Sequence, residues 1–231
     1  MFKNFYYATV SCLLLTQCAG TSLKVMPDYK KMNVEKSRLG IVLFKESMVI
    51  RNQDDIAEDL GGGETKEVFH GFFTSQFKEF AKKDGKFGNV AVVNGCDTSG
   101  FTKSTQFLSS DDPMQVRVPS KNACMSDSVP FFLILDNFDI SRDKKAGTTV
   151  VTAGPNGTMR TNKVGAYDNL VLRGTFVLWD NLAGRIVSFG KIFEKTGVVP
   201  ALTKKTWITA VESISSKIFV DTPYGILSVP K

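Results

Sequence analysis

The sequence predicts an α+β domain in which a mixed β-sheet of about five to six strands is covered by two amphipathic helices. Three stretches indicate this fold class. Leu39 to Phe44 is a continuous apolar run, which is typical of a strand buried on both faces. Phenylalanines recur at helical spacing from Phe69 to Phe80, and a second apolar stripe recurs from Trp207 to Ile218. We therefore assign residues 38–231 to one domain.

A strand, a helix and a second strand open this domain. The first strand is followed by a helix from Glu67 to Lys83, whose apolar face is formed by Phe69, Phe72, Phe73, Phe77 and Phe80. Asp84 and Gly85 end the helix, and lysines in its last turn face the negative end of the helix dipole. Asn89 to Val93 is typical of a second buried strand. The unit forms a right-handed crossover if the two strands are parallel neighbours.

The segment from Gly95 to Val129 is polar and has no sustained periodicity, so we expect a long loop that is functional or partly disordered. Cys96 and Cys124 lie near its start and toward its end. In an oxidising compartment a disulfide between them would close a loop of about 28 residues and stabilise the fold by roughly 3 to 4 kcal/mol. The alternative is a pair of free, half-buried thiols.

Further strands and a closing helix complete the predicted domain. Thr203 is a suitable N-cap for the helix, which extends to Phe219. The last two of the strands are joined by a Gly-containing loop, which favours a hairpin. The predicted strands are Pro130 to Ser141, Thr148 to Ala153, Asn169 to Trp179 and Arg185 to Phe193.

Residues 1–17 have the order of a secretory signal peptide. Lys3 provides a positive start, and Phe5 to Leu15 is an apolar run of about eleven residues, too short to cross a bilayer. The run ends in Leu15-Thr16-Gln17-Cys18, which resembles the lipobox of bacterial lipoproteins. Gln17 departs from the small residue that usually precedes the cysteine. The alternative is an ordinary signal peptide cut after Ala19 or Gly20.

The lipobox resemblance implies that the Cys18 thiol carries a diacylglycerol, that the preceding peptide is removed and that the new N-terminus is acylated. Two or three acyl chains hold a protein on a bilayer almost permanently. Ala19 stands where an Asp would favour retention in the inner membrane, so the resemblance implies the outer membrane and a domain that faces the periplasm. Residues 18–37 contain few apolar side chains, and we expect them to be a tether.

The basic balance of the chain does not indicate nucleic-acid binding. The formal charge of +6 comes from lysines and arginines that are scattered or in short pairs, without a basic run interleaved with aromatic residues. Anionic lipid or a cell-wall polymer is the more plausible electrostatic partner. A merely solvated basic surface is the simpler alternative.

The sequence offers little for catalysis and indicates no cofactor or metal. His70, the single histidine, lies on the Phe-rich helix, where we expect a half-buried helix residue. Gly61 to Gly63 lacks the spacing of a phosphate loop and is interpreted as a hinge. The acidic residues Asp54, Asp55, Glu58 and Asp59 do not form a calcium-binding loop. A small exported hydrolase with a pair of carboxylates remains the alternative function, because such a pair is defined in space.

The element order resembles the periplasmic α/β domain of envelope-assembly lipoproteins. This group includes the curli secretion-channel lipoprotein, the lipoprotein activators of penicillin-binding proteins and the N-terminal domain of the translocation protein of the Tol system. The likeness is carried by Gly40 to Phe44, Glu67 to Lys83, Asn89 to Val93 and the turn segment Leu178 to Val187. It implies a non-catalytic binding or assembly module that contacts another envelope protein or a cell-wall polymer. The oligomeric state is left open.

Overall fold

The computed structural model describes residues 20–30, 37–51, 65–121, 123–153, 159–164, 167–198, 202–219 and 222–225. The predicted lipid site at Cys18, the acidic residues 54–59 and Gly61 to Gly63 lie outside these residues. In chain order the strands are β1 (Ser22–Val25), β2 (Ser37–Leu43), β3 (Val49–Ile50), β4 (Phe87–Val92), β5 (Phe101–Phe107), β6 (Pro113–Pro119), β7 (Phe131–Lys145), β8 (Thr148–Ala153), β9 (Met159–Val164), β10 (Tyr167–Asp180) and β11 (Arg185–Gly197), and the helices are α1 (Thr65–Asp84) and α2 (Lys204–Phe219).

The described strands form a seven-stranded mixed sheet in the order β1-β11-β10-β7-β2-β4, with β3 also paired to β7. Strand β2 is parallel to both β4 and β7, whereas β1, β11, β10 and β7 are antiparallel to their neighbours in that series. The α+β class with a mixed sheet and two helices is therefore confirmed. The short β3, which follows β2 alongside the long β7, brings the strand count to seven.

Both helices pack on one face of the sheet. Phe69, Phe73 and Phe77 of α1 are fully buried because their spacing of four residues places them on one side of the helix. The ring of Phe69 lies 5.0 Å from that of Trp207 on α2, edge to face. Helix α2 begins where predicted, since the Thr203 hydroxyl accepts a hydrogen bond from the Thr206 amide at 3.4 Å.

The other face of the sheet is covered by a hairpin of β5 and β6, so the expectation of a long loop from Gly95 to Val129 is wrong for residues 101–119. Met114 and Val116 of β6 are buried against the second face of β2 and β7, together with Phe101. The sequence does contain a signal for strand β6, because apolar and polar residues alternate from Met114 to Val118. It covers five residues within a polar stretch and is therefore weak.

The predicted tether is also corrected. Residues 22–25 form the edge strand β1, in which Val25 is paired with Ser188 of β11. A 3₁₀ turn over Pro27–Tyr29 follows, and the side chain of Tyr29 is only 1% exposed. Because this residue is packed into the core, the folded domain begins well before residue 38.

The two ends of the sheet differ. At the end that we call the turn end, β10 and β11 are joined by a tight turn, and Asp180 is paired with both Arg185 and Phe131. At the opposite end, which we call the arm end, β7 and β10 lead into the separate hairpin of β8 and β9, which we call the arm. Neither helix in the described part of the chain is long and apolar enough to cross a bilayer.

Candidate binding groove

The turn between β10 and β11 is built by its own side chains and backbone. Asp180 Oδ1 accepts a hydrogen bond from the Ala183 amide, three residues on, at 2.9 Å. Gly184 has a φ of 64°, a left-handed conformation that glycine adopts without strain. The amide of Asn181 donates to the Pro130 carbonyl at 2.8 Å. The turn is thereby fixed against the start of β7 and presents Arg185 at a defined position.

Tyr29 joins the N-terminal segment to this turn. Its hydroxyl donates to Asp180 Oδ2 at 2.8 Å and accepts a hydrogen bond from Arg185 Nε at 2.8 Å. Arg185 also donates from Nη1 to Asp28 Oδ2 at 2.9 Å, and its guanidinium carbon lies 4.8 Å from the centre of the Tyr29 ring. Burial, followed by the hydrogen bond to the Asp180 carboxylate, raises the pKa of Tyr29 to about 12.

A groove with a volume of about 410 Å³ opens beside this network. Strands β10 and β11 form its floor, the β5–β6 hairpin forms one wall, and the segment after β1 forms the other. The volume lies within the usual range of ligand sites. The groove is lined by Met26, Asp28, Tyr29, Ser104, Gln106, Val118, Trp179, Arg185 and Ile186.

The lining of the groove suits binding by stacking and hydrogen bonding. The half-buried Trp179 provides an aromatic surface, and Gln106 and Ser104 provide amide and hydroxyl groups on the facing wall. Gln106 Nε2 donates to Ser104 Oγ at 2.9 Å, so the two wall side chains hold each other in place. Neither a histidine nor a cysteine is among the lining residues. The two charged residues at the rim, Asp28 and Arg185, form an ion pair with each other.

A buried ion pair positions the hairpin wall. Arg117 of β6 donates from Nε to Asp136 Oδ2 of β7 at 2.7 Å, and their side chains are 17% and 4% exposed. Asn137, which follows the buried acid, has a φ of 54° and donates from Nδ2 to the same Asp136 oxygen at 3.1 Å. A positive φ is uncommon outside glycine, and asparagine is among the residues that adopt it most readily. It falls where the pairing of β7 with β10 shifts register, between Arg173 and Thr175.

The two cysteines predicted to pair lie at the base of the same hairpin. The structure places Cys96 and Cys124 at disulfide distance, with Cα atoms 5.5 Å apart. One precedes β5 and the other follows β6, so a bond between them would fasten both ends of the wall. That the two thiols form a disulfide stays a prediction.

The remaining sequence-predicted residues lie elsewhere. His70 is half-buried on α1 as predicted, and its Nε2 lies 3.0 Å from the Leu43 carbonyl oxygen, far from the groove in the fold. Within the described residues, no three His, Cys, Asp or Glu side chains are grouped as metal ligands. The sequence singled out the turn segment Leu178 to Val187 only as a strand connection. Its role beside Tyr29 depends on the unpredicted pairing of β1 with β11.

No family model and no curated protein matches this chain. Two solved structures of the PelC dodecamer from Paraburkholderia phytofirmans, one of a point variant, align with it at 8% and 10% identity. The alignments cover 85% and 86% of this chain and 96% and 93% of the others, with TM-scores of 0.37 and 0.33. At scores this low the likeness carries no argument about ligand, partner or assembly.

Proposed function

We propose that this protein is a lipid-anchored lipoprotein of the bacterial cell envelope that acts as a non-catalytic binding module and holds a cell-wall glycan in the groove. The observation that carries the binding role is the groove itself, in which the half-buried Trp179 faces a wall of uncharged polar side chains. A sugar ring presents an apolar C–H face and an equatorial set of hydroxyl groups. An aromatic floor with amide and hydroxyl groups on one wall complements both.

The position of the groove supports this role. The groove lies at the turn end of the sheet, whereas the chain enters β1 from the arm end, where the Thr21 hydroxyl donates to the Phe193 carbonyl at 3.3 Å. Cys18 precedes the first described residue, Gly20, by only two positions. A lipid on Cys18 would therefore hold the arm end near the bilayer and direct the groove toward the cell wall.

The lining favours a binding module over the hydrolase alternative. Most glycoside hydrolases use two carboxyl groups that flank the bond to be cleaved. Among the lining residues only Asp28 carries a carboxylate at the groove surface, and it is paired with Arg185. Asp180 lies behind Tyr29, is 7% exposed and accepts hydrogen bonds on both oxygens. These groups hold the groove in shape and are not arranged as an acid and a base.

The test is titration of the membrane-extracted full-length protein with soluble disaccharide-peptide fragments of bacterial cell wall, with binding measured by isothermal titration calorimetry. We expect saturable binding that is lost in Trp179→Ala and weakened at least about tenfold in Gln106→Ala, since each removes a direct contact. Leu182→Ala is the matched control, because Leu182 is 75% exposed on the neighbouring turn and does not line the groove. Binding that survives Trp179→Ala, or none at all, would overturn the proposal, and cleavage of the fragments would establish the hydrolase.

A further inference from the structure

The polar wall of the groove offers a hydrogen-bond donor and a hydrogen-bond acceptor side by side. Ser104 and Gln106 alternate along β5, so both side chains lie on the face of the strand that lines the groove. Gln106 Nε2 donates to Ser104 Oγ at 2.9 Å, which leaves the serine proton available for donation and Gln106 Oε1 available as an acceptor. Among the described residues neither group has a second hydrogen-bond partner.

Apolar side chains adjoin this polar pair. Ser104 is paired with Val116 of β6, and Val118 lies two residues along the same strand, on the same face of the hairpin. On the floor of the groove, Trp179 of β10 is paired with Ile186 of β11. Val118, Trp179 and Ile186 are each partly buried against one apolar cluster. The groove therefore presents a donor and an acceptor next to an apolar surface.

The charges at the groove favour an uncharged ligand. Asp28 carries the one carboxylate among the lining residues, and Arg185 carries the one guanidinium. The two are joined by a hydrogen bond of 2.9 Å, and Arg185 also donates from Nε to the Tyr29 hydroxyl. An ammonium or a carboxylate on the ligand would have to break this pair before it gained a partner of opposite charge.

We propose that the glycan in the groove is an N-acetylated hexosamine whose acetamido group is bound by Ser104 and Gln106. An acetamido group has one N–H, one carbonyl oxygen and one methyl group. The N–H donates to Gln106 Oε1, the Ser104 hydroxyl donates to the carbonyl oxygen, and the methyl group lies against Val118 and Ile186. A hydroxyl group in its place is too short to reach all three partners. The proposal rests on the proposed role of the groove as a glycan site.

The experiment compares three β-1,4-linked tetrasaccharides, of N-acetylglucosamine, of glucosamine and of glucose, which differ only in the substituent on carbon 2 of each ring. Each is titrated into the membrane-extracted full-length protein in slightly acidic buffer and followed by calorimetry. We expect the N-acetylated tetrasaccharide to bind at least about tenfold more tightly than either of the others, because both of those leave the wall groups incompletely paired. Equal affinity for the glucose tetrasaccharide would overturn the acetamido assignment and leave glycan binding standing. Binding of none of the three, nor of the cell-wall fragments, would overturn both proposals.

Variants of the wall locate the preference. Ser104→Ala should weaken binding of the N-acetylated tetrasaccharide by about fivefold and leave that of the glucose tetrasaccharide unchanged. Gln106→Glu, which keeps the length of the side chain and adds a negative charge, should shift the preference to the glucosamine tetrasaccharide. Thr105→Ala is the matched control, because Thr105 is exposed on the outer face of β5 and bonded there to Gln115 at 2.7 Å. An unchanged preference in both wall variants would overturn the assignment.

Discussion

Tyr29 and Asp180 are hydrogen-bonded at 2.8 Å although 151 residues separate them in the chain. The bond fixes the segment after the edge strand to the turn that positions Arg185. Tyr29→Phe removes the hydroxyl and leaves Asp180 Oδ2 without this donor in a site that is 7% exposed. We expect the free energy of unfolding to fall by about 1 to 3 kcal/mol, measured by urea denaturation.

The control for this variant is Tyr224→Phe. Tyr224 is also fully buried, but within the described residues its hydroxyl has no hydrogen-bond partner. Its removal should therefore be neutral or stabilising, because an unsatisfied buried hydroxyl costs free energy. Equal changes in the two variants would show that the hydrogen bonds of the Tyr29 hydroxyl add no stability.

Alkaline pH tests the same tyrosine. Its pKa is raised to about 12 in the folded protein by burial and by Asp180, against about 10 in an unfolded chain. The folded state then retains a proton that the unfolded state loses, so the stabilisation is complete below pH 10 and is lost as the pH rises toward 12. Between pH 9 and 12 the free energy of unfolding should fall less steeply with rising pH in Tyr29→Phe than in the wild type. An equal slope in the two proteins would contradict the assignment of the raised pKa to Tyr29.

The buried pair of Arg117 and Asp136 should be a large determinant of stability. Arg117→Met leaves the Asp136 carboxylate without its counter-ion at a site that is 3% exposed, and we expect a loss of about 3 to 5 kcal/mol. Lys191→Met removes an ion pair to Asp112 in which both side chains are more than 40% exposed, and should cost at most about 1 kcal/mol. Both are measured by chemical denaturation, and similar costs would refute the role of burial.

The cysteine pair at the base of the hairpin gives a prediction in mass and in stability. Reduction should raise the mass of the protein by two daltons. The double variant Cys96→Ser, Cys124→Ser should lower the free energy of unfolding by about 3 to 4 kcal/mol, as expected for a closed loop of 28 residues. A mass unchanged by reductant would show that the thiols are free.

The helical side of the core could be predicted from the sequence because Phe69, Phe73 and Phe77 repeat at the helical period and are all buried. The groove could not be predicted from the sequence. Its lining comes from the segments 26–29, 104–118 and 179–186, each of which is short and half-polar. These segments meet only because β1 adds to the edge of β11 and because the hairpin covers the second face of the sheet. Both depend on tertiary pairing, which leaves no period in the local sequence.

The intact mass of the membrane-extracted chain, wild type and Cys18→Ser, tests the proposed lipid anchor on Cys18 most directly. We predict a mature chain that starts at Cys18 and carries the added mass of acyl chains, with both the cleavage and the acyl mass lost in the variant. An unmodified chain that starts at another residue would contradict the lipoprotein assignment and with it the orientation proposed for the groove.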